Sequence, residues 1–206
     1  CTRQFSPFNP PSTVYNVLHS VACEASPPIA ETSKNNTKRK GAKQKEKLPP
    51  TTKTVGFEIS ISGQPIQGMN IVTGYAYTDA EIGIGRSAQF QGNIAPNVSK
   101  NSFNFWGSYE IQAGELEGLG IGAGYFYTDD RFGDIANSYS LDSFNTVDLS
   151  VWYTLATPGF GADDTIRFQL AAKNIFEEEY YSGSGGATRI NIGAPRTVIG
   201  SVSFAF

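Results

Sequence analysis

The sequence predicts an all-β fold: a partial antiparallel transmembrane β-barrel, about seven C-terminal strands of a larger cylinder, preceded by a disordered N-terminal segment. Three observations predict it. From Thr54 onward apolar and polar residues alternate, as in Val147-Asp148-Leu149-Ser150-Val151-Trp152-Tyr153 and again in Ile166-Arg167-Phe168-Gln169-Leu170, the period of a strand with a different solvent on each side. The charged residues inside these strands, Glu58, Glu110, Asp148, Arg167 and Lys173, all fall on the polar face, which random placement gives roughly one time in thirty. The strands are also long, and their connections alternate between short and long.

The first strand covers 54–61 and sets Val55, Phe57, Ile59 and Ile61 on its apolar face. A short turn, 62–68, rich in Gly and Pro, leads to a strand at 69–78 with Ile71, Tyr75 and Tyr77 on the same face. The long connection 78–101 follows, then a strand at 102–112 carrying Phe103, Phe105 and Tyr109. The turn 112–118 and the strand 119–127 complete that hairpin. A second long connection, 128–144, precedes strands at 145–156 and 165–174, joined by the short 156–164. The third long connection, 175–195, brings the chain to the last strand, 196–206.

Such alternation fits two folds, a soluble sandwich with its apolar faces packed together or a barrel with those faces in lipid. Length favours the barrel. Soluble strands run about five or six residues, whereas membrane strands need about nine to eleven, and the runs at 102–112, 145–156 and 196–206 reach the longer class. Composition, with 39% hydrophobic residues and net charge −3, suits either. No run of eighteen apolar residues exists, which excludes a membrane-spanning helix but not a barrel. Seven is an odd number, and an open sheet in lipid leaves edge amides and carbonyls unpaired, so the remaining strands come from elsewhere. With the short turns in the periplasm, the last strand runs inward and Phe206 ends at the periplasmic rim.

Charge separates two segments at residue 53. Residues 1–53 carry nine Lys/Arg and three Asp/Glu, net +6, and residues 54–206 carry seven and sixteen, net −9. The basic run Lys34, Lys38, Arg39, Lys40, Lys43, Lys45, Lys47 has almost no apolar content and reads as a disordered, solvated segment. It lacks the interleaved aromatics of a nucleic-acid arm, so no nucleic-acid partner is expected. Cys1, Cys23 and the sole histidine, His19, lie in this segment. Nothing in the sequence fixes a pairing of the two cysteines. The chain begins with Cys and shows no secretory signal peptide, so a piece of a longer, exported protein is expected.

The ending carries a more specific pattern. Lys173-Asn174-Ile175-Phe176, Glu179-Tyr180-Tyr181, Gly193-Ala194-Pro195-Arg196-Thr197-Val198 and Gly200-Ser201-Val202-Ser203-Phe204 to Phe206 resemble the C-terminal end of TonB-dependent ferric-siderophore receptors. Gly56-Phe57-Glu58-Ile59-Ser60-Ile61-Ser62-Gly63 with Gly68-Met69-Asn70, Gly74-Tyr75-Ala76-Tyr77-Thr78-Asp79-Ala80 and Asn97-Val98-Ser99-Lys100-Asn101-Ser102-Phe103-Asn104 fit the same family. The resemblance covers 54–206. It implies the last third of a barrel of twenty-two strands with a plugged lumen, in a protein that imports iron-siderophore complexes across the outer membrane with energy delivered by TonB. It also implies a plug and a TonB box, neither of which is found here, so this chain alone is not expected to transport. Val202, Phe204 and Phe206 correspond to a C-terminal signal read by the barrel-insertion machinery. No cofactor is implied, because the iron travels inside the siderophore. A passive, porin-like barrel is the alternative, and a plug encoded upstream in frame would separate the two.

Siderophores present anionic or apolar surface, so their contacts should be aromatic and cationic loop residues. Arg86, Phe90, Arg131, Phe132, Tyr139, Tyr180, Tyr181 and Arg189 are the candidates. Residues 74–83 and 124–133 repeat one decapeptide pattern, Gly-Tyr-x-Tyr-Thr-Asp ending in Gly, read as tyrosines at headgroup level with Asp starting the loop. Gly118-Leu119-Gly120-Ile121-Gly122-Ala123 imitates a dinucleotide fingerprint but continues into a strand, which excludes it. Gly120, Gly122 and Gly124 share the lumen face with Trp106 and Trp152 and should make room for those indoles or for a plug. Glu177–Glu179 and the group Asp129, Asp130, Asp134 read as solvated loops and not metal sites. No nucleophile has a histidine beside it in the barrel region, so no enzymatic activity is expected.

Overall fold

The computed structural model describes the backbone of residues 16–21 and, in full, 51–83, 88–156, 164–186 and 188–205. Cys1, Cys23, Arg86, the basic run 34–47 and Phe206 lie outside the described residues.

One antiparallel sheet of eight strands dominates. In chain order its members are β1 (Asn16–Val21), β2 (Thr52–Gly63), β3 (Met69–Ile82), β4 (Asn101–Glu110), β5 (Leu119–Thr128), β8 (Phe144–Ala156), β9 (Thr165–Lys173) and β12 (Thr197–Ala205). Each strand pairs with the next in that order. The seven expected strands are present, and β2 and β3 extend further than expected. The eighth, β1, arises from the N-terminal segment, where no strand was expected, and pairs Val17 with Ile61 and Val21 with Phe57. Residues 83–100, 129–143 and 174–196 connect strands at one end of the sheet. They hold a 3-10 turn, Ala88–Phe90, and two small hairpins, β6 (Arg131–Phe132) with β7 (Ser140–Leu141) and β10 (Tyr181–Ser184) with β11 (Ile190–Ile192).

Register keeps the two faces chemically distinct across the sheet. One transverse row reads Ile61, Thr73, Phe105, Tyr125, Val147, and another Met69, Tyr109, Ile121, Val151, Leu170. On the opposite face a row reads Asn70, Ser108, Gly122, Ser150, Ala171, and the next Glu110, Gly120, Trp152, Gln169, Ser201. A one-residue slip would exchange these sets, so the pattern itself fixes the pairing. The ten residues of β4 span about 33 Å along the strand, or about 25 Å when tilted by about 40°, the height of a barrel's apolar band.

No second layer among the described residues covers the apolar face. Among the described residues the buried hydrophobics are Ala80, Ile82, Leu141 and Trp152, while Ile121 is 61%, Leu170 52% and Val202 52% exposed. A soluble sandwich would bury these side chains against a facing sheet. Aromatics gather at both ends of the bare face, with Phe57 against both Tyr75 and Tyr77 toward the long connections and Tyr109, Tyr153 and Phe168 near the short ones. That is the girdle arrangement of membrane barrels.

Glycines set the short turns and the lumen. Gly68 and Gly118 have φ of 81° and 85°, a region unfavourable to L side chains, and their carbonyls accept from Glu110 N and Thr154 N at 2.9 Å each. Each turn is thereby tied to the neighbouring strand. At Gly122 and Gly124 an added Cβ would lie 2.7 Å from Trp106, and at Gly120 it would overlap Trp152. The absent side chains therefore make room for the indoles.

Candidate functional site

Two regions carry concentrated polar chemistry: the cluster of long connections and the lumen face beside the short turns. In the first, asparagines act as substitute peptide groups. Asn137 accepts from Ile94 N and donates to Ile94 O, both at 2.9 Å. Asn97 accepts from Ser184 N at 2.7 Å and donates to Ser184 O at 2.8 Å, while its own N–H reaches Phe132 O at 2.8 Å. Asn93 donates to Ile135 O at 3.0 Å. Both Asn97 (φ 62°) and Asn137 (φ 54°) adopt the left-handed conformation, which asparagine tolerates better than most residues. A side-chain amide offers one acceptor and two donors, so it can close a two-bond ladder where no strand fits.

At the centre of this cap lies Arg131, 5% exposed. Its Nη2 donates to Tyr181 O, its guanidinium lies 5.3 Å from the centre of the Phe144 ring, and Phe144 stacks on Tyr180 at 4.1 Å. Burial pushes the guanidinium pKa down. Tyr139 shares a hydroxyl contact of 2.5 Å with Ser184 and donates to Gly186 O at 2.9 Å.

The acidic group of this region divides into separate roles. Asp134 was expected in a solvated loop, but it is 8% exposed, accepting from Ser138 Oγ at 2.6 Å and Ser138 N at 2.8 Å. These donors hold its carboxyl below the usual range. Asp129 accepts from Asn101 Nδ2 at 2.6 Å, which lowers its carboxyl likewise. Glu177 forms an exposed ion pair with Arg196 at 2.9 Å, of little energetic weight.

The structure brings Arg131, Phe132, Tyr139, Tyr180 and Tyr181 into this one cap. Tyr181 is 48% exposed, and Arg189 is exposed with its chain against Gly185. Phe90 is half-buried at the end of the 3-10 turn, and Arg86 lies outside the described residues. Sequence reasoning missed Asn93, Asn97, Asn137, Phe144 and Ser184. The asparagines gave a signal, since polar residues tolerant of positive φ recur in two of the long connections. Phe144 gave none, because it reads as the last residue of the second long connection, and nothing local marks it as the partner of a cation. On the last strand, Val202 and Phe204 are exposed on the apolar face.

On the lumen face, Trp152 Nε1 donates to Glu110 Oε2 at 2.6 Å, and the Arg167 guanidinium sits 4.5 Å over the Trp152 ring. Gln169 donates to Ser150 at 2.9 Å. With Asn70, Ser108 and Gln112 these residues line a cavity of about 400 Å³. The arrangement can bind polar groups by hydrogen bonding. Among the described residues no three acidic, histidine or cysteine side chains converge as metal ligands.

Comparison with known proteins agrees with this architecture. The family model described as TonB dependent receptor-like, beta-barrel matches residues 24–175, so the match begins well before residue 54, where the sequence resemblance was placed. The chain is 32% identical over 151 residues to the ferrichrome outer membrane transporter/phage receptor of Escherichia coli K12, covering 73% of this chain and 20% of that protein. It is 30% identical over 151 residues to the ferrioxamine B receptor of Salmonella typhimurium, covering 73% and 21%. Among solved structures, the ferric preacinetobactin receptor BauA from Acinetobacter baumannii matches with a TM-score of 0.67 and 22% identity, over 75% of this chain and 22% of that one. The siderophore receptor PiuA from the same organism matches with a TM-score of 0.61 and 25% identity, over 74% and 22%. The chain thus spans about a fifth of the length of the curated relatives it matches.

Proposed function

Because the chain belongs to the TonB-dependent receptor β-barrel family, whose members are outer-membrane barrels, we propose that it forms part of the wall and outer cap of a receptor for ferric siderophores. The observation that carries this reading is the joint match of fold and sequence to receptors of that class over some three quarters of the chain. The long connections face the cell exterior and the C-terminus the periplasm. Tyr181 and Arg189 are the exposed ligand contacts, with Tyr180 beside them in the third connection, Tyr139 bonded to that connection, Phe132 on the second connection, and Phe90 and Arg86 on the first. An aromatic and cationic surface of this kind suits a bulky complex whose iron is already fully coordinated. The energy comes from TonB, acting on parts of the receptor other than this wall. Val202, Phe204 and Phe206 address the chain to the insertion machinery.

The test is uptake of radioactive iron, supplied as ferrichrome or ferrioxamine B, by cells that lack their own receptors and express the complete gene product. Saturable uptake that disappears in cells lacking TonB is expected. Uptake proportional to concentration and indifferent to TonB would establish the passive, porin-like reading instead.

A further inference from the structure

Resting on the receptor reading above, we propose that Arg131 is a positioning residue that locks the three outer connections into one rigid cap, so that ligand meets a single preformed surface. The links form a closed cycle. Arg131 holds Tyr181 O in the third connection, Ser184 in that connection is clasped on both backbone groups by Asn97 of the first, and Asn97 N–H returns to Phe132 O, next to Arg131 in the second. Each link restrains the geometry on which the other two depend, which is the condition for cooperative behaviour.

The chemistry of the residue supports this role. A buried cation is costly unless it is paired, yet no carboxylate joins Arg131, and the ion pair found among the described residues is between Arg196 and Glu177. Its Nη1 is buried with no hydrogen-bond partner. What the guanidinium does gain is the Tyr181 carbonyl and an aromatic ring, Phe144, which itself stacks on Tyr180. A guanidinium can face a ring and still donate sideways to a carbonyl, which the shorter-reaching point charge of a lysine ammonium does less well. Arg131 and Phe144 together therefore fix both Tyr180 and Tyr181, the residues that lead into the β10–β11 hairpin of the third connection.

Backbone hydrogen exchange of the complete gene product in outer-membrane vesicles tests the proposal without any ligand. In Arg131→Lys, exchange at 181–184, 190–192 and 94–97 should rise together, by about tenfold or more, while β8 and β9 are unchanged. Asn97→Ala should give the same pattern, and the double variant should exchange no faster than the faster single one. A rise confined to 181–184, no rise at all, or a double variant whose acceleration is the product of the two would overturn the proposal. Should Arg131→Lys fail to assemble, Tyr139→Phe, which removes only the tie to Ser184 and Gly186, decides the same question by whether 94–97 responds. Failure of iron uptake would remove the receptor reading and leave this measurement intact.

Discussion

The wall and the cap are held together by opposite parts of the same kinds of residue. In the wall the backbone does the holding, through continuous ladders such as the twelve pairs between β2 and β3, and side chains are left to satisfy two different solvents. In the cap the ladders are short, two pairs in β6–β7, and side chains take over, with Asn97 and Asn137 each closing a two-bond clasp on another connection. Backbone pairing tolerates most substitutions on its faces, whereas a clasp depends on one particular amide. The wall should therefore yield only to bulk, and the cap to small chemical changes.

Gly122→Leu is the strongest test on the wall side. Its first carbon would meet the Trp106 ring at 2.7 Å, and overpacking of this kind costs about 3 kcal/mol. Loss of the heat-modifiable band of an assembled barrel on gels is expected, with recovery in the double variant Gly122→Leu/Trp106→Ala. On the cap side, Asn137→Ala removes both bonds to Ile94 and leaves alanine at a φ of 54°, for a local loss of about 2 kcal/mol. Limited proteolysis should then cut the cap while the barrel band survives, and simultaneous loss of the barrel would erase the contrast.

Trp152→Phe sharpens the comparison from the lumen. It keeps a ring beneath Arg167 but deletes the bond to Glu110, worth about 1 kcal/mol in an aqueous interior, so a small drop in melting temperature with the cap unaffected is expected. The smallest effect concerns pH. The Asp134 carboxyl is held below its ordinary value by the Ser138 hydroxyl and N–H. Its contribution is complete above the ordinary carboxylate pKa and fades as pH falls through the lower folded value. Protease resistance of the cap should thus persist at pH 5 and decline only below about pH 4, a decline blunted in Asp134→Asn.

The two copies of the decapeptide show how far local sequence reaches. Both enter as strands, as their alternation indicates, and in both the Asp was read as the start of a loop. At Asp129 the chain does leave the sheet, because Asn101 takes the carboxylate and Arg131–Phe132 pair with Ser140–Leu141. At Asp79 the strand continues to Ile82, because Thr52–Val55 of β2 supply partners for residues 79–82. Identical residues differ in fate because the neighbour differs, and a pairing set by distant sequence is not visible locally. The same limit applies to Arg131. Its charge and loop position suggested contact with a ligand, while its burial depends on Phe144 from the start of β8 and on Tyr180 and Tyr181 from the third connection. The wall was legible because a period of two repeats in every strand. The clasps were not, since each joins residues 43 or 87 apart.

The clasp at Asn97 also hangs on a single side-chain nitrogen. Deamidation replaces an NH2 with an oxygen and adds a negative charge, turning a donor that faces Ser184 O into an acceptor that repels it. Such a change at that one atom would loosen Asn97 from Ser184 while leaving the strand ladders intact, so the wall would keep its pairing and the cap would lose one of its fastenings.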